Sequence, residues 1–254
     1  MTPATELAAA APAVRVEGAH LAFGGTLLFD RLSLVLPAGR TSCLLGPSGV
    51  GKSSLLRLIA GLAHGAEGEV VDEDGRSLAG RVAYMAQRDL LLPWLSVLDN
   101  VLLGDRLRGR PPRRERALAL LAEVGLAERA ADRPAALSGG MRQRTALART
   151  LMEDKPVVLM DEPFSALDAI TRFALQELAA RLLAGRTVLL VTHDPLEALR
   201  LGHEIRVLAG RPALLGAAIE PAGTPPRDPA DPAERGLLDL QAELLRRLTA
   251  ARDA

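Results

Sequence analysis

The octapeptide GPSGVGKS, Gly46 to Ser53, has the spacing G-x-x-x-x-G-K-[ST]. Its chemistry is phosphate binding. Gly46, Gly49 and Gly51 let backbone N–H groups turn inward as an anion nest, with Pro47, Ser48 and Val50 between them. The helix expected from Lys52 onward turns its positive end toward the same anion, through Ser53 and Ser54. Lys52 reaches for the β- and γ-phosphates of a nucleotide, and the Ser53 hydroxyl is a ligand for Mg²⁺. Lys52 is one of only two lysines, the other being Lys155, in a chain that otherwise takes its positive charge from arginine.

Two further segments carry chemistry. VVLMDEP, residues 157–163, ends a buried-type strand on Asp161 and Glu162. Carboxylates at that edge face the ligand crevice of an open α/β sheet. Asp161 suits Mg²⁺, and Glu162 suits a water attacking the γ-phosphorus. LSGGMRQR, residues 137–144, reads as a helix start, with Ser138 as N-cap and Gly139 and Gly140 baring the backbone. That makes a second anion site in a chain whose single P-loop does not obviously need one.

The elements that must position these residues alternate. RLSLVL (31–36) has strand alternation, while TSCLL (41–45), VVLM (157–160) and TVLLV (187–191) are continuous apolar runs suited to a parallel sheet covered on both faces. Helices are predicted over Lys52–Gly61, Ala169–Leu183 and Pro195–Leu201. The last has Asp194 as N-cap, Glu197 closing a capping box and Gly202 as stop. Such alternation predicts a doubly wound α/β core. From about 89 to 152 the pattern turns to helix and loop, predicting an inserted helical subdomain. Residues 1–13 read as a disordered tail. Residues 217–235 read as a Pro-rich linker, followed by a helix striped with Leu237, Leu240, Leu244, Leu245 and Leu248 that packs on the body or contacts a second copy.

Composition excludes several classes. Balanced charge, +0 at neutral pH, argues against a polyanion-binding surface, and the arginine run RLRGRPPRRERA reads as a solvated loop and helix start rather than a nucleic-acid site. A single cysteine, Cys43, excludes an internal disulfide and reads as a buried small hydrophobe. No apolar stretch is long enough to span a bilayer, and the N-terminus lacks the basic region of a signal peptide. The expectation is a soluble, cytoplasmic chain.

Taken in order, the P-loop, Gln87, LSGG, VVLMDEP, SALD (165–168) and the His193 of VTHD resemble the ATP-binding subunits of ABC transporters over roughly residues 14–216. The resemblance implies a P-loop NTPase core with an N-terminal antiparallel β portion and an inserted helical subdomain. It makes ATP and Mg²⁺ the ligands, with Gln87 joining Ser53 and Asp161 in the metal set and lying near the attacking water, His193 as the switch histidine, and Phe23 stacking on adenine. Asp168 joins the nucleotide-binding set. Met141 departs from the Gln that many members carry after LSGG.

The resemblance also accounts for the second anion site. In this family two subunits pack head to tail, so Ser138, Gly139 and Gly140 would act on the nucleotide held by the other copy of a homodimer. The stretch QRDLLLPWLSVLDNV resembles the nitrate, sulfonate, taurine and thiamine-pyrimidine importer group, its RDLLLPW wording leaning to the pyrimidine branch. It implies a place on the cytoplasmic face of the bacterial inner membrane, against permease subunits docking near residues 87–100 and serving a periplasmic or extracellular solute-binding protein. The Leu90–Leu95 run is expected to be part core and part exposed groove. The alternative is a soluble ABC ATPase acting on DNA or ribosomes; long heptads and internal duplication, which such proteins carry, are absent from the sequence.

Overall fold

The computed structural model describes residues 11–229, 231, 234 and 236–253, the side chains of Phe23 and Asp253 excepted. The chain divides into two compact units. The first comprises the described residues of Met1–Val82, Pro156–Asp161 and Leu183–Ala254; the second comprises Ala83–Lys155 and Glu162–Leu182.

The first unit opens with β1 (Val14–Phe23) and β2 (Thr26–Leu36), joined by a Gly24–Gly25 turn in which both glycines have positive φ. Next come β3 (Thr41–Leu45), α1 (Lys52–Ile59) and β4 (Glu67–Asp72). Strands β2, β1 and β4 form an antiparallel sheet in that order. Alternation in β2 does what its period requires: Leu32, Leu34 and Leu36 are buried while Arg31, Ser33 and Val35 are exposed.

The rest of the chain supplies a second sheet. β5 (Val82–Met85) carries the chain into the second unit, and β6 (Val157–Asp161) returns to the first. β7 (Thr187–Val191), α7 (Pro195–Leu201, after helices of the second unit), β8 (Glu204–Ala209) and β9 (Leu214–Leu215) follow. Within the first unit the strands run in the order β6-β7-β3-β8-β9, parallel except for β9. All five residues of β6 and all five of β7 are buried, as continuous apolar runs demand when helices cover both faces. Cys43 sits among them, its thiol pushed well up by burial, so it serves as a small hydrophobe.

The helices of the second unit are α2 (Val97–Val101), α3 (Leu103–Leu107), α4 (Arg114–Glu123), α5 (Gly139–Met152) and α6 (Ala169–Leu183), whose last residue re-enters the first unit. Val97, Val101, Leu121 and Leu147 are at most 1% exposed at its core. The arginine run is stitched into this unit. Arg106 pairs with Asp99, Arg108 with Glu153 and Arg116 with Asp154. Arg113 grips buried Asp105 through Nε at 3.1 Å and Nη2 at 2.8 Å, and also donates to the Met152 carbonyl. Those bonds hold the Asp105 carboxyl below its usual range. The run is therefore less solvated than its composition predicts, and its charge is largely spent internally.

Three expectations about the chain ends need correction. Of the predicted tail, residues 1–10 lie outside the described residues, but Ala11 is buried and the Pro12 carbonyl accepts a 2.6 Å bond from Thr187 Oγ1. The terminal helix α8 (Gly236–Asp253) buries Leu237, Leu244 and Ala251 at heptad spacing, while Leu245 is about half exposed and leaves the stripe. A seven-residue step keeps one face of a helix; Leu245, one residue past Leu244, is turned off it.

The Pro-rich segment is not a free linker. Arg227 is 2% exposed and donates to five carbonyls: Leu199, Gly202, Pro221, Ala222 and Gly223. Its own backbone bonds Arg200 at 2.9 Å, strapping the segment onto the C-terminal end of α7. Arg227→Ala would strand those acceptors in a dry site. It should lower the free energy of unfolding by about 3–5 kcal/mol, read as an earlier urea midpoint. A midpoint matching wild type would mean that water satisfies the carbonyls.

Candidate nucleotide site

In the first unit the P-loop follows β3 and ends at α1 without any side chain capping the helix, so its first N–H groups point into the loop. Two glycines are demanded by geometry. A Cβ on Gly46 would lie 2.5 Å from the Leu208 carbonyl oxygen. A Cβ on Gly51, at φ 111°, would lie 2.9 Å from the buried Phe29 ring. Lys52 is buried and folds back over the loop, its Nζ donating to the Gly46 oxygen at 2.7 Å and the Pro47 oxygen at 2.9 Å. The ammonium thus spans the nest formed by Gly46–Gly51. Ser53 and Ser54 occupy the first turn of α1, both partly buried.

Asp161 ends β6 and is 3% exposed, beside Val191 in the parallel pairing with β7. His193 stands two residues past β7, after buried Thr192, and is exposed. It lines one cavity of about 730 Å³ together with Gly46, Pro47, Ser48 and Val50. Asp194, the next residue, caps α7 by accepting from Leu196 N at 2.9 Å. Half of the predicted box forms, the Glu197 N–H donating to Asp194 Oδ1 at 3.4 Å, while the Asp194 N–H donates to Thr192 Oγ1 at 3.1 Å. Phe23 ends β1 opposite Thr26, its side chain lying outside the described residues.

In the second unit, Gln87 and Glu162 meet. The Gln87 amide donates to Glu162 Oε2 at 3.2 Å. Glu162 has φ 48°, a left-handed conformation that a residue with a side chain adopts at a cost, typically at sites where function over-determines the backbone. Its carbonyl is held by the Ser165 hydroxyl at 3.1 Å and by the buried Gln143 amide at 3.4 Å. Gln143 belongs to α5, the helix that LSGG opens. The sequence offers no sign of this role, because a Gln on a polar helix start reads as solvated.

Ser138 caps α5 as expected, accepting from Met141 N at 3.3 Å, and is exposed with Gly139 beside it. Gly140 sits close to Leu167 and Ala166, where a Cβ would come within 3.2 Å of a leucine methyl. Asp168 caps α6 through Thr171 N at 3.0 Å, and those bonds lower its pKa. Its carboxylate therefore has a helix to hold, a task that the SALD tetrapeptide by itself does not announce.

The Leu90–Leu95 run divides. Leu91 is buried, whereas Leu90 and Trp94 are 61% and 66% exposed. Polar anchors hold the loop in this pose. Fully buried Asn100 accepts from Leu92 N at 2.7 Å and donates to the carbonyls of Leu92 and Ser96. Arg149 of α5 donates to the carbonyls of Asp89 and Leu90, and Arg142 pairs with the Asp89 carboxylate at 3.2 Å. Two large apolar side chains thus stand exposed on an anchored loop.

Comparison with known proteins gives this geometry its family. Residues 29–165 match the ABC transporter family. The chain is 46% identical over 240 residues to an uncharacterized ABC transporter ATP-binding protein of Haemophilus influenzae, covering 92% of this chain and 98% of that one. It is 54% identical over 185 residues to an aliphatic sulfonates import ATP-binding protein of Rhodococcus jostii, covering 72% and 73% of the two chains. The Pseudomonas syringae protein of that description is 43% identical over 240 residues, covering 94% and 96%. Among solved structures, the ATP-binding cassette MJ0796, a dimer bound to ADP and Pi in a post-hydrolysis state, superposes with TM-score 0.74 at 30% identity, covering 83% of this chain and all of that one. With likeness of this degree along most of both chains, the protein belongs to the ABC transporter family, among its ATP-binding subunits.

Proposed function

We propose that the protein is the ATP-hydrolysing subunit of an ABC importer, working as a homodimer on the cytoplasmic face of the cell membrane. It drives uptake of a small solute through separate permease subunits fed by a solute-binding protein. The solute falls on the sulfonate side of the importer group rather than the pyrimidine side, because relatives that are 43–54% identical carry the aliphatic sulfonate name. The observation that carries the reading lies in one unit. Gln87 touches Glu162 at 3.2 Å, and three residues further along the same loop the chain presents Leu90, then Trp94, to its surroundings. Nucleotide chemistry and a docking surface share a short, anchored segment.

The residues divide the work. The P-loop N–H groups and Lys52 bind the phosphates. Ser53 and Asp161 are hard oxygen donors of the kind Mg²⁺ takes, and one carboxylate, one hydroxyl and phosphate oxygens suffice for it. Held by them, Mg²⁺ would supply neutralisation of charge on the phosphates. Glu162, oriented by Gln87, takes the proton of the attacking water. Ser138 and the bared backbone of Gly139 and Gly140 close over the γ-phosphate held by the second copy, with His193 beside it.

Trp94→Ala tests the coupling half of this reading. In membrane vesicles carrying the whole transporter, uptake should fall at least roughly tenfold, the loss expected when an aromatic anchor leaves an interface. ATP affinity of the purified subunit should stay at the wild-type value, since Trp94 is exposed and removed from the P-loop sequence. Wild-type uptake by the variant would remove this loop from the docking surface.

A further inference from the structure

The cavity beside the P-loop has a wall that nucleotide binding does not account for. Besides Pro47 and Ser48 it is lined by exposed Arg211, in the turn after β8, and by Leu248, Ala251 and exposed Arg252 from the last turns of α8. Among the described residues, no carboxylate lines it. Among the described residues, neither Arg211 nor Arg252 has a hydrogen-bond or ion-pair partner, although both lie in a chain with as many acids as bases. Arg252 stands in the last turn of α8, where a cation offsets the negative end of a helix. His193 and the Ser48 side of the P-loop complete the lining. Two guanidinium groups, an imidazole and a hydroxyl around about 730 Å³ suit a hydrated tetrahedral oxyanion, which arginine binds through paired N–H donors.

We propose that this cavity is a second oxyanion site, where Arg211 and Arg252 hold inorganic phosphate next to the P-loop. The C-terminal helix thereby takes part in the departure of the phosphate that hydrolysis releases. The inference rests on the ATPase reading for the source of the phosphate, but not for the existence of the site. The same chemistry could be supplied by the γ-phosphate of bound ATP, and the test separates the two.

Wild-type full-length protein is compared with Arg211→Ala, Arg252→Ala and the double variant, each checked for an unchanged thermal midpoint. Inorganic phosphate is titrated first as an inhibitor of ATP hydrolysis and then directly, by broadening of its ³¹P resonance in the presence of ADP. The double variant should weaken phosphate inhibition by roughly fivefold or more, as loss of charge-assisted bonds predicts, with each single variant intermediate. The broadening should be lost in parallel, while KM for ATP stays within about twofold of wild type, the scatter of an unaffected site. Unchanged phosphate inhibition and broadening would overturn the proposal. A raised KM for ATP with unchanged phosphate inhibition would overturn it too, by assigning the arginines to the bound nucleotide. Should wild-type protein show no hydrolysis, the ATPase reading fails, and the ³¹P titration alone still decides whether the cavity binds phosphate.

Discussion

Glu162→Gln should bind ATP as tightly as the wild type, form a stable dimer with it, and hydrolyse almost nothing. The amide keeps the shape of the side chain and can still meet Gln87, whose amide lies 3.2 Å from Glu162 Oε2. It cannot accept a proton from the attacking water. Removing a general base of this kind costs about 10²–10⁴-fold in turnover. Nothing on the P-loop changes, so affinity is preserved, and a dimer that cannot hydrolyse its nucleotide has no reason to come apart. Equilibrium ATP binding, light scattering with and without ATP, and phosphate release measure the three parts separately. Wild-type turnover in this variant would take the base away from Glu162, whatever its strained backbone suggests.

Ser138→Arg should also retain ATP affinity and lose hydrolysis, for a different reason. Ser138 is exposed at the start of α5, where its hydroxyl accepts from Met141 N. A guanidinium in its place obstructs the surface that, on the proposed reading, closes on another copy's phosphates. The expected loss of turnover exceeds about 10²-fold, the scale of removing a preorganised anion contact from a transition state. Loss of the N-cap itself costs about 1 kcal/mol of stability. Ser138→Ala isolates that term, since it removes the cap without the bulk. Equal loss of ATP binding and turnover in Ser138→Arg would mean that the segment serves its own P-loop.

Much of this architecture was legible because its signals are local. Continuous apolar runs marked β3, β6 and β7, and Asp194, Pro195 and Gly202 marked the limits of α7 to the residue. Ser138 as a cap follows from a hydroxyl standing before two glycines and a helical run. The parts that were not legible depend on contacts between distant residues. Arg227 sits between prolines and reads as linker; only the fold brings five carbonyls around it. Asn100 lies in a short, mostly apolar helix, and nothing in its neighbours announces that it ties down the loop carrying Trp94. The Leu90–Leu95 run has no period, so sequence alone could state that it divides but not that Leu91 goes inward while Leu90 and Trp94 stay out. Likewise the arrival of α8 beside the P-loop follows from packing at Leu237 and Leu244, not from any motif in the tail.

The central claim is that each ATP site is completed by a second copy, and mixing two inactive variants tests it most directly. Lys52→Ala has a damaged P-loop and an intact LSGG segment; Ser138→Arg has the reverse. In a head-to-tail dimer of the two, one site pairs the intact P-loop of one copy with the intact LSGG of the other. The mixture should therefore recover ATP hydrolysis that neither variant shows alone, rising with the amount of the limiting partner. A mixture as inactive as its components would contradict the account and return both segments to a single chain.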